Sequence, residues 1–156
     1  MDTPQSLADR LLEDGQKTSL FFENLSLEQW QTVVYMEGSH WTIRQVLAHF
    51  VSSEVSFNRL LENILAGGAG TPEDFDIDVY NERKVAQLHH STVEELLRQY
   101  RQARQSNVTL VSGLSPEDLT RQGRHPFLGV APLTDMIKLI YRHNQIHLRD
   151  VRRLLG

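Results

Sequence analysis

Thr42-Ile43-Arg44-Gln45-Val46-Leu47-Ala48-His49-Phe50 reads as the opening of a long helix. Thr42 is placed to cap it, and Gln45 stands three residues on, the spacing at which cap and third residue satisfy each other's backbone amides. From there Val46, His49, Ser53, Phe57 and Leu60 step by three or four residues, the period of a buried helical stripe. Gly67-Gly68 ends the pattern and supplies a left-handed cap. His49 therefore sits on or beside a buried face. A histidine there must be hydrogen-bonded or metal-bound, because burying its polar nitrogens unpaired is costly.

The same period recurs on both sides of this stretch. Towards the N-terminus, Leu7, Leu11, Leu12, Leu20, Phe21 and Leu25 mark a helix over Ser6–Asn24, with Asp2 or Thr3 as cap and Pro4 at the first position. Gly15 lies inside it, where glycine costs about 1 kcal/mol against alanine. Ser26 to Trp30 reads as a single turn, and Val33 to Ser39 as a connection closing at Gly38. The central helix is expected over Thr42–Leu65. Gly67 to Asp78, with three glycines and Pro72, is the most loop-like stretch, so fast amide exchange is expected from Gly67 to Asp76. A third helical arm spans Val79–Gly113, broken near His90, with Ser91 and Glu94 forming a second capping pair. Ser115 to Leu119 is a turn and Gly123 to Val130 a loop. Pro132 opens a last helix to Leu155, through Met136, Ile137, Ile140, His143, His147, Val151 and Leu154. No β-alternating run or internal repeat is present. Four long amphipathic arms predict an all-α four-helix bundle in one domain over residues 1–156.

Composition narrows the function classes. The chain has 156 residues, 40% hydrophobic and 23% charged, as in an ordinary globule. No run approaches the roughly 20 apolar residues of a membrane span, and the N-terminus lacks the pattern of a signal peptide. The net charge of −4 argues against a general nucleic-acid binder. Arg98, Arg101 and Arg104 at helical spacing read as a solvated face. With no cysteine, a metal must take His, Asp, Glu or water, and a cytoplasmic protein is expected.

His143 and His147 stand four residues apart, so their Cβ atoms lie roughly 5–6 Å apart on one helix face. Two imidazoles at that spacing can share an ion, and His49 offers a third from another helix. The alternative is three hydrogen-bonded core or cleft residues. Three neutral imidazoles leave coordination positions open, so such a site can act as a Lewis acid and lower the pKa of bound water to about 7. Zinc, nickel, iron or copper suits these ligands. Ligand rings must be deprotonated, so binding is expected to weaken below about pH 6.5. His40, His89, His90 and His125 fall at a cap, a helix break and a loop, and read as surface residues. No phosphate-cradling glycine loop, dinucleotide fingerprint or Ser-His-Asp pattern offers a rival chemistry.

Trp41 to Phe50 also resembles the signature opening the second helix of the DinB-like (YfiT-like) family, the DNA-damage-inducible group unrelated to DNA polymerases. His143-x-x-x-His147-Leu148 is similar to that family's closing motif, and Asp78 to Glu82 with Ser91 to Leu97 to its third helix. The resemblance spans nearly the whole chain. It implies an up-down-down-up bundle, often a homodimer, with a divalent metal on His49, His143 and His147. Trp30, Val33, Val34 and Tyr35 are then candidates for semi-exposed apolar pairing surface. It further implies either transfer of a low-molecular-weight thiol (bacillithiol, mycothiol or glutathione) to a small electrophile, or hydrolysis of a small molecule by metal-bound water. A non-catalytic metal- or ligand-binding bundle in a stress response is the alternative. Asn81 matches a recurrent position near the family's pocket, or is a polar residue at a helix N-terminus. Glu54, one and a half turns after His49, is a candidate acid/base or a solvated side chain.

Overall fold

The computed structural model describes residues 1–35 and 39–156, and it is mostly helical. Among those residues the order is α1 (Pro4–Glu23), α2 (Leu27–Trp30), α3 (Ile43–Leu65), α4 (Ile77–Gln87) and α5 (Val93–Ser112). A 3-10 turn (Asp118–Thr120), strands β1 (Gln122–His125) and β2 (Gly129–Pro132), and α6 (Leu133–Leu155) follow. The long helices α1, α3, α5 and α6 form the bundle. The expected closure at Gly38 lies outside the described residues.

Capping sets most of these boundaries. Thr3, Ser26, Thr42 and Thr92 each accept from the amide three residues on, and Ser6, Gln29, Gln45 and Glu95 return the bond. The second box is thus Thr92 with Glu95, one residue beyond the expected Ser91 and Glu94. Gly67 takes φ 92° after α3, as a left-handed cap requires. Arg44 holds the α4–α5 break by donating to the carbonyls of Leu88, His89 and Ser91. The guanidinium adds donors to a helix end whose Leu88 carbonyl otherwise accepts, among the described residues, only from the Ser91 amide.

Two regions differ from the sequence expectations. Residues 122–132 form an antiparallel hairpin rather than a loop, with His125 opposite Gly129 and Gln122 opposite Pro132. Each strand is four residues long, too short for alternation to stand out. Gly129, at φ 72°, makes the turn possible. The glycine loop is also tied down: Thr71 donates to the Arg124 carbonyl at 2.8 Å, and Arg124 to that of Ala69 at 2.9 Å. Gly68 and Gly70 donate to the carbonyl and side chain of Asn63. Exchange at Gly68, Gly70 and Thr71 should therefore be slowed, not fast.

The core comprises two apolar clusters along the bundle. One joins Phe22, Trp30, Phe50 and Tyr100 to Leu148, the other Leu7, Leu11, Leu61 and Ile64 to Met136 and Ile137. Trp30 is buried and stacked on Phe22 at 5.5 Å, so it is not a surface residue, whereas Val33 is exposed. Arg104 is likewise not on a solvated face. It is 3% exposed and crosses from α5 to Glu54 and to Asp14. Gly15 leaves the room it needs, since a Cβ there would lie 2.7 Å from Arg104 Cγ. Helix propensity alone would make Gly15→Ala stabilising. Overpacking against a buried, pinned side chain reverses the sign, so urea unfolding should show a loss of about 1–3 kcal/mol.

Candidate metal centre

α3 is the most enclosed helix, buried on several faces, and its side chains divide between two environments. Five residues turn a helix through about 500°, which sets Glu54 roughly 140° around from His49. Glu54 faces α5, where it accepts from Arg104 Nε at 2.9 Å and from Asn107 Nδ2 at 2.7 Å. His49 faces α6. Glu54 is thus held in a buried ion pair on the far side of α3, away from the histidines.

The three rings meet where α3 passes the middle of α6. His49 Nε2 lies 2.8 Å from His143 Nε2, which lies 3.1 Å from His147 Nε2. One donor nitrogen from each falls within 4.8 Å of the others. Phe50 flanks His143 and His147 at 5.8 Å, and Trp41 packs on His49 at 4.8 Å. The bridge between Val33 and Thr42 closes the preceding segment and brings Tyr35 over His147.

Outer partners fix the ring edges. Tyr35 donates its hydroxyl to Asp150 Oδ2 at 3.0 Å and so accepts from His147 Nδ1 at 2.6 Å. Asn144 donates Nδ2 to the Tyr100 hydroxyl at 2.9 Å, which turns Oδ1 towards His143 Nδ1 at 3.3 Å. Ser53 Oγ lies 3.5 Å from His49 Nδ1. In His143 and His147 the protons are therefore on Nδ1 and the Nε2 lone pairs face each other, an arrangement a shared cation relieves. Metal–nitrogen bonds of about 2.0–2.1 Å separate neighbouring donors by roughly 2.9–3.4 Å, close to the His49–His143 and His143–His147 spacings. The donor set fits a divalent ion, with the outer hydrogen bonds that ligand histidines ordinarily make. Tyr35, Asn144 and Asp150 escaped sequence reasoning. Asp150 at i+3 from His147 and Asn144 at i+1 from His143 were hinted at by spacing alone, and Tyr35 by nothing local.

Burial changes the expected acid–base behaviour. It lowers His49 well below the ordinary value, brings His143 to about 3 and also lowers His147. The like charge a protonated neighbouring ring would carry adds to the effect at His49 and His143. Protons therefore compete weakly, and loss of metal should set in well below pH 6.5 rather than at it. The same shifts act on the fold. Between the depressed folded values and about 6.5 the unfolded chain binds more protons. Stability is thus fully present above about pH 6.5 and declines as pH falls towards 4. With chelator present, chemical unfolding should lose on the order of 1–3 kcal/mol between about pH 6.5 and 4.

The histidines lie on the wall of a pocket of about 520 Å³ that Trp41, Asn81 and Phe127 also line. A second pocket of about 310 Å³ adjoins it and shares Ser53, Phe57, Ile77, Asn81 and His125. Asn81, on α4, thus stands at the junction of the two. His40, His89 and His90 are exposed, but His125 is buried, 8% exposed, and stacked on Phe57 at 5.4 Å. Its reading as a surface residue fails because the hairpin folds it against α3. The Pro126-Phe127-Leu128-Gly129 turn was the available signal.

Comparison with known proteins agrees with this architecture. No curated protein matches the sequence. Among solved structures, YfiT from Bacillus subtilis, described as "a probable metal-dependent hydrolase with an unusual four-helix bundle topology", superposes with a TM-score of 0.77. It is 19% identical, and the alignment covers 97% of this chain and 85% of that one. The DinB superfamily matches residues 10–151, nearly the whole length, and the chain belongs to that superfamily.

Proposed function

We propose that the protein is a divalent-metal-dependent enzyme that hydrolyses a small molecule, with His49, His143 and His147 as the metal ligands. The observation that carries this reading is the convergence of three neutral imidazoles on the wall of an open pocket. A purely structural metal would be closed off by protein ligands. A bound zinc, nickel or iron ion would supply Lewis acidity and acidify water. The chain's own residues orient the ligand rings through Tyr35, Asn144 and Ser53, and line the pocket with Trp41, Phe57 and Phe127. Transfer of a low-molecular-weight thiol is the second reading. Arg59 on the adjoining pocket favours it, as a partner for the carboxylates such thiols carry.

The long helices are taken to run up, down, down and up. Lys138–Asp2 and Gln145–Asp14 contacts support α1 and α6 running alongside each other, and Arg44–Ser91 with Asn58–Asn107 supports the same for α3 and α5. A cytoplasmic homodimer acting on a small molecule, without nucleic acid or membrane, completes the proposal. Among the described residues, no helix is long and apolar enough to cross a membrane. Exposed Phe127, Val130 and Ile146 support an apolar pairing surface, which light scattering can test.

The functional test is turnover of a panel of esters and amides, and of thiol–electrophile pairs, by zinc- or nickel-loaded protein. Turnover should vanish with chelator and in His143→Ala. Turnover that survives both would contradict the metal reading.

A further inference from the structure

His125 is held in one tautomer, with its free edge on the pocket. Its Nδ1 accepts from the backbone amides of Phe127 at 3.0 Å and Leu128 at 3.1 Å. A nitrogen that accepts two N–H bonds carries no proton, so the proton of the neutral ring is on Nε2. Stacking on Phe57 fixes the plane of the ring. The residue lines both the pocket around the three histidines and the adjoining one. No acceptor for Nε2–H occurs among the described residues, and a donor left unpaired on a mostly apolar wall favours a ligand that supplies one. Burial lowers the ring's pKa to about 4, so it remains a neutral donor at physiological pH.

The rest of the wall indicates what that donor would meet. Asp78 is the one carboxylate, and no lysine or arginine lines the pocket around the histidines among the described residues. A phosphate or carboxylate there would find no counter-charge beyond a bound metal. A neutral acyl compound would find a hydrogen-bond donor for its oxygen and apolar surface for its body.

We infer that His125 Nε2–H is the pocket's fixed donor to a substrate acyl oxygen, and that the substrates are neutral esters or amides with an apolar body. This rests on the hydrolytic reading above and adds the binding residue and substrate class to it. His125 lies outside the proposed ligand set, so its role separates experimentally from metal binding.

The test uses purified protein labelled with nitrogen-15 at histidine, with benzamide as a neutral acyl probe. Long-range proton–nitrogen correlation at neutral pH should show His125 as the Nε2–H tautomer. An Nδ1–H form or a mixture would overturn the inference. Titration with benzamide should shift the His125 Nε2–H signals saturably, and no shift up to the solubility limit would also overturn it. His125→Asn keeps an acceptor near Nδ1 for the turn and, being shorter, withdraws the donor from the Nε2 position onto its own amide. It should take up zinc as the wild type does and bind benzamide about five- to tenfold more weakly. Equal affinity would overturn the inference. Should that variant fail to fold, the wild-type tautomer and titration decide alone. Failure of the wild type to take up zinc would refute the metal reading while leaving the tautomer and benzamide result to stand or fall independently.

Discussion

Glu54→Ala should cost about 3–5 kcal/mol of unfolding free energy, the largest stability loss expected from a single side chain here. Glu54 is 1% exposed and Arg104 3%. The carboxylate accepts from Arg104 Nε and, at 2.5 Å, Nη2, while Asn107 bonds its other oxygen. Arg104 in turn donates through Nη1 to the Leu11 carbonyl and Asp14, both at 2.9 Å. Removing Glu54 leaves a buried guanidinium with one partly exposed carboxylate and takes from the Asn107 amide one of its two acceptors, the other being the residue 54 carbonyl. Burial alone would lower the Arg104 pKa, but the charge and hydrogen bond of Glu54, with Tyr100 and Asp14, together outweigh it and raise it above the ordinary value. An arginine stays protonated even without Glu54, so the positive charge remains after the substitution, with only Asp14 and the Leu11 carbonyl to offset its desolvation. Urea unfolding measures the loss, and a change under about 1 kcal/mol would contradict the account. Because Glu54 faces away from the histidines, metal affinity of the folded variant should be unchanged. An acid/base role at the site would instead tie Glu54 to activity without this stability cost.

The second large effect is on metal affinity. His147→Ala removes one of three nitrogen donors and should abolish tight zinc or nickel binding, read by isothermal titration. Far-UV circular dichroism should stay nearly unchanged, since α6 keeps Met136, Ile137, Ile140 and Val151 in the core. Tyr35→Phe provides the graded comparison. It deletes the hydroxyl that accepts from His147 Nδ1 while leaving the ligand, so affinity should fall roughly 10–100-fold rather than vanish. Equal affinities in all three proteins would contradict the proposed ligand set.

The helices were legible because their caps and apolar stripes are local. Thr42 with Gln45 fixed the start of α3, and Gly67 its end, as expected from sequence. His49, His143 and His147 were legible as a group because i, i+4 spacing and a shared buried stripe are both one-dimensional signals. What remained hidden depended on tertiary contact. Arg104 looked like one of three solvated arginines, since nothing near it in sequence reveals Glu54 fifty residues away. The short strands of the hairpin carry too few residues for a period, so His125 looked exposed. Tyr35 reached His147 through a bridge between Val33 and Thr42 that no local pattern encodes. Burial of the packed rings, which lowers all three pKa values, moves the expected pH window below the one the ordinary histidine value suggests.

The central claim is that the three histidines hold a divalent ion in the folded protein. Its most direct measurement is the melting temperature of the wild type at about pH 7.5 with chelator and with excess zinc, beside His147→Ala under the same conditions. A ligand at about one hundred times its dissociation constant stabilises the native state by about 2.7 kcal/mol. For a chain of this length that is a rise of roughly 5–10 °C. The account predicts that rise in the wild type and its loss in His147→Ala. A melting temperature indifferent to zinc and chelator, or the same rise in both proteins, would contradict it.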